Sequence, residues 1–135
     1  MDDLIPTSSA KLKCSLLVVD DQPAIRVLLK RWLQTTYDVE TASCVDEALR
    51  KAAERAFDGL LLDINLREAR TGVDLLHALR DLPAYQAVPA VAYTAFAMPE
   101  DRRRFLEAGF DELIVKPTTK EHLHGALERV IRRPS

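Results

Sequence analysis

Four runs of apolar residues recur along this chain, and each of them ends in a polar side chain. The runs L-L-V-V, G-L-L-L, V-P-A-V-A-Y and E-L-I-V are followed directly by Asp20-Asp21, Asp63, Thr94 and Lys116. Continuous apolar runs of this length, separated by helical patterns, are typical of strands in a parallel sheet that is buried on both faces. Because ligands bind outside the carboxyl ends of such strands, we expect these polar side chains to gather at one edge.

Strand and helix patterns alternate from about residue 13 to the end of the chain. The predicted strands are 13–20, 38–42, 59–62, 88–93 and 112–115, and the predicted helices are 23–34, 45–56, 73–80, 99–109 and a last one that begins at 118. The pattern predicts a single-domain α/β fold with an open, doubly wound, five-stranded parallel sheet and five helices. Residues 1–12 are expected to form a flexible tail before the domain at 13–135.

Local signals predict where several helices begin and which faces they bury. Ser43 followed by Asp46, and Thr118 followed by Glu121, resemble capping boxes for the second and last helices. In the first helix the i, i+3, i+4, i+7 spacing predicts one buried face. Its members are Ile25, Leu28, Leu29 and Trp32.

Composition narrows the classes of function. The 135 residues are 47% hydrophobic and 30% charged, with a formal net charge of −2. This balance lacks the basic field that sequence-independent nucleic-acid binding needs, so we expect no direct nucleic-acid partner. The acidic start does not resemble a secretion signal and no apolar stretch approaches a membrane span, so we expect a cytoplasmic protein with no membrane partner.

The cysteines, the histidines and a run of arginines are interpreted as structural or surface residues rather than as parts of a catalytic site. Cys14 and Cys44 fall at opposite ends of two parallel strands, so we predict free thiols. The histidines have no metal-ligand spacing with either cysteine and are interpreted as surface residues. Three consecutive arginines, 102–104, are interpreted as a solvated or partner-docking helix face.

The predicted sheet edge carries the candidate chemistry. Three carboxylates, from Asp20, Asp21 and Asp63, are costly to bring together unless one protonates or a cation binds. Such an oxygen-only set favours Mg²⁺ or Mn²⁺. Lys116 offers an ammonium to a carboxylate or a phosphoryl oxygen, and Thr94 a hydroxyl to a phosphoryl oxygen or a backbone carbonyl. The alternative is a set of solvated loop ends, and the convergence of all five groups favours a site.

These motifs, in this order, resemble the response regulator receiver domain of bacterial two-component signalling, the CheY-like family. The matching residues are Asp20-Asp21, Asp63 with Asn65 two positions later, Thr94-Ala95 and Lys116-Pro117, and A-G-F-D-E before the fifth strand is similar to the family's A-G-A-D-D. The resemblance covers about residues 13–133. It implies a flavodoxin-like sheet with strand order 2-1-3-4-5 and a cis Lys116-Pro117 bond.

The resemblance also implies a role for each residue. Asp63 takes a phosphoryl group from a sensor histidine kinase or a histidine phosphotransfer protein. Asp20 and Asp21 hold Mg²⁺ together with Asp63 and the backbone carbonyl of Asn65. The other two residues, Thr94 and Lys116, then bind the phosphoryl oxygens.

The implied function is a phosphorylation-dependent switch of partner binding in a two-component system or phosphorelay. Such a domain is a stoichiometric phosphoacceptor rather than an enzyme, with intrinsic autophosphorylation and autodephosphorylation only. It is expected either to stand alone or to be the receiver fragment of a hybrid histidine kinase. The face formed by the fourth helix, fifth strand and fifth helix is the family's usual surface for partners or self-pairing, and so allows a homodimer.

A phosphatase of the haloacid-dehalogenase type is the alternative, since it also uses a strand-end Asp, a Thr or Ser, a Lys and Mg²⁺. That class needs an acid where this chain has Asn65, and its acidic pair comes late in the sequence. The chain also departs from the receiver pattern. Leu113 stands where the family's switch aromatic is usual, and Arg67 where a proline is frequent. Phe96 is placed to shield an acyl phosphate from water or to pack against the fourth helix.

Overall fold

The computed structural model describes residues 13–95 and 98–131, so the predicted tail at 1–12 and Phe96 lie outside the described residues. Its strands are β1 (Ser15–Val19), β2 (Asp38–Ala42), β3 (Gly59–Asp63), β4 (Ala90–Thr94) and β5 (Glu112–Val115). Its helices are α1 (Pro23–Leu33), α2 (Val45–Glu54), α3 (Gly72–Arg80), α4 (Pro99–Ala108) and α5 (Lys120–Val130), with a 3-10 turn at Pro83–Tyr85.

The strands form one parallel sheet in the order β2-β1-β3-β4-β5, which confirms the predicted fold. The chain leaves β1 toward β2 on one side, and the later strands add on the other side. This reversal opens a crevice beyond the carboxyl ends of β1 and β3, where ligands bind in folds of this kind. The register places Asp63 beside Tyr93, and Thr94 beside Val115.

Helices cover both faces of the sheet, which explains the uninterrupted apolar runs. Along β1, Leu17 and Val19 belong to a core shared with α2, α3 and α4. Their neighbours Leu16 and Val18 belong to a second core, shared with α1 and α5. Each strand residue therefore meets helix side chains whichever way it points.

Two predicted capping boxes are wrong. In α5 the hydroxyl of Thr119, not that of Thr118, accepts the N–H of His122 at 3.1 Å. At the start of α2 no side chain of Ser43 caps the helix. Glu68 instead reaches across from the β3–α3 loop, and its carboxylate accepts the N–H of Val45 at 3.1 Å.

Other side-chain predictions have mixed outcomes. The buried residues of α1 are Leu29 and Leu33, whereas Leu28, predicted to be buried, is 38% exposed. Neither Cys14 nor Cys44 forms a disulfide among the described residues, as predicted. The interpretation of His124 as a surface residue is wrong, because it is partly buried and one ring nitrogen lies 2.8 Å from the carbonyl oxygen of Trp32.

In the described part of the chain, no helix has the length and apolar character to cross a membrane.

Candidate functional site

The carboxyl edge of the sheet gathers buried polar side chains from four different strands. Asp20 follows β1 and is fully buried, and Asp63 at the end of β3 and Thr94 at the end of β4 are nearly so. Lys116, directly after β5, donates hydrogen bonds to Asp63 Oδ2 at 2.9 Å and to Asp20 Oδ2 at 3.2 Å. The strand-end pattern thus brings distant residues into contact.

Asp63 is held in one orientation with its carboxylate at the floor of the crevice. Its Oδ1 accepts the backbone N–H of Asn65 at 3.2 Å, while its Oδ2 faces the ammonium of Lys116. Burial raises the pKa of Asp63 to about 6, against the opposing effect of Lys116 and with a further upward effect from Asp20. A carboxylate of this pKa is ionised at neutral pH, but its surroundings stabilise the negative charge only weakly. Such a group is suited to act as a nucleophile.

Lys116 is positioned through both its backbone and its side chain. Its N–H donates to the carbonyl oxygen of Thr94 at 2.7 Å, and the Lys116-Pro117 bond is cis, as predicted. The ammonium lies 4.6 Å from the ring centroid of Tyr93, a cation–π contact. Burial lowers the pKa of Lys116, but its hydrogen bonds and attraction to Asp63 and Asp20 outweigh burial and raise it. The side chain therefore stays cationic.

The acidic cluster fits a divalent cation. One oxygen from each of Asp20, Asp21 and Asp63 lies within 4.8 Å of the other two. Asp21 Oδ1 is buried and accepts no hydrogen bond from the described residues, an arrangement that costs free energy unless a cation or water satisfies it. The donors are all hard oxygens, which suits Mg²⁺ or Mn²⁺.

A cavity of about 240 Å³ opens beside this cluster. It is lined by Gln22, Asp63, Asn65, Arg67, Thr94, Ala95 and Lys116. The structure therefore brings together at one edge all six residues predicted for the site, since Asp20 is hydrogen-bonded to Lys116 and one oxygen of Asp21 lies within 4.8 Å of oxygens of Asp20 and Asp63.

Three residues at the site were not assigned to it from the sequence. Gln22 donates its backbone N–H to Asp20 Oδ1 at 2.8 Å. Gly72 begins α3 directly against the backbone of Asp63. The guanidinium of Arg67 lies 3.5 Å from Asp21 Oδ2. The only sequence signal for Arg67 was its place at a position where a proline is frequent.

Comparison with known protein families gives one match over most of the chain. Residues 16–128 match the family model described as the response regulator receiver domain. Among curated proteins, the histidine-protein kinase BarA of Escherichia coli K12 is 32% identical over 128 residues, which are 93% of this chain and 14% of that kinase. The transcriptional regulatory protein ResD of Bacillus subtilis is 33% identical over 121 residues, which are 89% of this chain and 49% of that regulator. The chain thus spans half or less of these two relatives.

Solved structures agree in fold along nearly their whole length. The chemotaxis protein CheY4 of Vibrio cholerae superposes with a TM-score of 0.83 at 34% identity, covering 87% of this chain and 98% of that one. The receiver domain of sensor histidine kinase PA1611 from Pseudomonas aeruginosa superposes with a TM-score of 0.79 at 28% identity, covering 88% of this chain and 98% of that one. That structure has a magnesium ion coordinated in its active site cleft.

Proposed function

Because this chain belongs to the response regulator receiver domain family, we propose that Asp63 is its phosphoacceptor. The observation that supports this choice most directly is the contact of 2.9 Å between Asp63 and Lys116 at the strand-end cavity. Asp20 is fully buried behind the same ammonium, and Asp21 pairs with Arg67, so Asp63 is the carboxylate that lines the cavity.

The proposed step is a phosphoryl transfer from a phosphohistidine on a partner protein. An ionised oxygen of Asp63 attacks phosphorus, the N–P bond breaks with its electron pair remaining on the imidazole, and an acyl phosphate forms. The reaction has a loose transition state, so the residues contribute positioning and charge neutralisation rather than covalent chemistry. With a pKa of about 6, Asp63 is ready to attack at neutral pH without a separate base.

We propose that Asp20, Asp21 and Asp63 bind Mg²⁺ or Mn²⁺, with the backbone carbonyl of Asn65 as a further ligand. The cation would neutralise charge on the transferring phosphoryl oxygens. The magnesium ion in the cleft of the PA1611 receiver domain and the orphaned Asp21 Oδ1 of this chain both support the site.

In the phosphorylated protein, Thr94 and Lys116 would bind the phosphoryl oxygens. Lys116 already points at the acceptor oxygen, and Thr94 lines the same cavity at the end of β4. A phosphoryl group on Asp63 would give the ammonium of Lys116 a further anionic partner beside Asp63 and Asp20, so Lys116 would neutralise part of the charge added by phosphorylation. Leu113, where an aromatic switch residue is usual, is buried in the sheet's core, which leaves Thr94 as the proposed moving element.

The proposed donor is a sensor histidine kinase or a histidine phosphotransfer protein. A second candidate is that this receiver works within a hybrid histidine kinase, and its similarity to part of BarA and to the receiver domain of PA1611 favours that setting. Pairing of two copies through α4, β5 and α5 stays a prediction. Light scattering before and after phosphorylation measures it.

The test is incubation with acetyl phosphate and Mg²⁺, followed by intact-mass analysis. Wild type is expected to gain one phosphoryl adduct and Asp63→Asn none. Asp81→Asn is the matched control, because Asp81 is an exposed aspartate at the end of α3. An adduct on Asp63→Asn would contradict the assignment. Repeated turnover of small phosphomonoesters would instead indicate the phosphatase chemistry.

A further inference from the structure

Arg67 lies at the site but has no role in the proposed phosphoryl transfer or metal binding. Its Nε lies 3.5 Å from Asp21 Oδ2, and its side chain is 69% exposed while that of Asp21 is 18% exposed. Arg67 also lines the cavity beside Asp63. A cation from the protein itself therefore sits at the mouth of a cluster that is expected to hold a metal ion.

The loop between β3 and α3 fixes this arginine in place. Arg67 has a φ of 56°, the left-handed conformation, and its N–H donates to Asn65 Oδ1 at 3.2 Å. The preceding Leu66 is buried in the core. The following Glu68 accepts the N–H of Val45 at the start of α2. Anchors on both sides thus hold the backbone of Arg67 at the edge of the acidic cluster.

Two basic side chains, those of Lys116 and Arg67, pair with the three carboxylates of the site. Among the described residues, the ion pairs of Lys116 go to Asp20 and Asp63. The ion pair of Asp21 goes to Arg67. Asp21 is the carboxylate with an orphaned oxygen, so it is also the one most in need of a cation. A divalent ion bound to this cluster would therefore share Asp21 with the guanidinium.

We propose that Arg67 is a resident counter-ion of Asp21 that competes with the divalent cation and lowers the affinity of the site for it. The inference rests on the metal site of the proposed function. Binding of the metal to Asp21 removes the attraction that holds the guanidinium, and two cations on one carboxylate repel each other. Because Arg67 is mostly exposed, it can swing into solvent, so the competition has the strength of a surface ion pair.

Calorimetric titration of the unphosphorylated protein with Mg²⁺ at low ionic strength tests this competition without relying on phosphorylation. Arg67→Met keeps the length of the side chain but has no charge and no oxygen ligand. It is expected to bind Mg²⁺ about two- to fivefold more tightly than wild type, the range of an exposed ion pair. Arg67→Lys keeps the charge and is expected to stay close to wild type. The gain of Arg67→Met should shrink at high salt, because exposed charges are screened.

Arg31→Met is the matched control, because it removes the same charge from an exposed position in the last turn of α1, at the opposite edge of the sheet. Its affinity for Mg²⁺ should equal that of wild type. Arg67→Gly, which suits the positive φ, provides a second neutral variant in case Arg67→Met folds poorly, and the same increase is expected.

The possible outcomes separate the two proposals. Equal or weaker Mg²⁺ binding by Arg67→Met and Arg67→Gly, with measurable binding by wild type, overturns the role of Arg67 and leaves the metal site in place. An equal gain in Arg31→Met shows an effect of net charge and also overturns it. If neither wild type nor the Arg67 variants bind Mg²⁺, the metal site fails and the inference fails with it.

Discussion

The ammonium of Lys116 lies 2.9 Å from Asp63 Oδ2, although 53 positions separate the two residues in the sequence. The same ammonium lies 3.2 Å from Asp20 Oδ2. One cation is therefore shared between two buried carboxylates. It offsets only part of the free-energy cost of burying their negative charges. This incomplete compensation is why the pKa of Asp63 rises to about 6 while Lys116 remains protonated.

Stability of the metal-free protein should fall as pH rises through the titration of Asp63. Its pKa is 3.8 ordinarily and about 6 in the folded protein, so between these values the folded state binds more protons than the unfolded state. The stabilising contribution is complete below about pH 4 and is lost as pH passes about 6. Urea unfolding in EDTA at pH 5 and pH 7.5 measures the difference.

Asp63→Asn is the comparison for this pH dependence, because the amide is nearly the same size and does not titrate. The free energy of unfolding of wild type should drop more between pH 5 and pH 7.5 than that of Asp63→Asn. At pH 7.5 the variant should be the more stable protein, as is common when a strained functional group is removed. If the free energy of unfolding fell by the same amount with pH in both proteins, Asp63 would not be the group responsible for the pH dependence.

Mg²⁺ should stabilise the folded protein, because the acidic cluster exists only in the folded state. At a free concentration ten times its dissociation constant, a ligand that binds only the folded state adds about 1.4 kcal/mol. Thermal unfolding with and without Mg²⁺ measures this gain. Asp21→Asn should lose most of it, while Asp81→Asn should retain it. The same Mg²⁺ effect in both variants would place the bound ion elsewhere.

Gly72→Ala should disturb Asp63, the proposed phosphoacceptor, through the backbone. A Cβ at Gly72 would lie 2.9 Å from Ile64 Cα and closer still to the carbonyl oxygen of Asp63. Neither backbone atom can move aside without shifting Asp63, so we expect a loss of about 1–3 kcal/mol in the free energy of unfolding, the usual cost of overpacking. Phosphorylation by acetyl phosphate should slow as well.

Gly125→Ala is the matched control for this substitution. Among the residues that the structure describes, the nearest atom to a Cβ at Gly125 in α5 would be a guanidinium nitrogen of Arg129 at 3.9 Å. The replacement should therefore stabilise the protein by about 0.5–1 kcal/mol through helix propensity. Equal stabilities for Gly72→Ala and wild type would mean that the contact with Asp63 relaxes without cost.

The positions of Asp63 and Lys116 followed from the sequence because a parallel sheet aligns the ends of its strands. Each apolar run has to be buried on both faces, so its polar neighbour is forced to the edge where the other strands also end. The order of the strands needed the resemblance to a family, since periodicity alone does not specify which strands are neighbours.

Two features were not predicted from the sequence, the residue that caps α5 and the pair of Arg67 with Asp21. Thr118 and Thr119 are adjacent and either can cap a helix, so tertiary packing decides between them. The pair of Arg67 and Asp21 depends on a left-handed residue and on a loop tied to α2 through Glu68. No periodic pattern encodes a loop of this kind, so only coordinates reveal that an arginine faces the acidic cluster.

Tyr93 should act on the site through Lys116. Its ring lies 4.6 Å from the ammonium and is buried beneath it, and burial raises the pKa of the phenol, so the ring stays neutral. A cation–π contact of this kind is worth about 0.5–2 kcal/mol. Tyr93→Leu should therefore slow phosphorylation by acetyl phosphate, whereas Tyr93→Phe, which keeps the ring, should stay near wild type.

A double-mutant cycle separates this role from a general packing defect. If Tyr93 works by aiming the ammonium of Lys116, then Tyr93→Leu should have little further effect on the rate of phosphorylation in a Lys116→Met background. An equal loss of rate in both backgrounds would show that the ring supports the core and not Lys116.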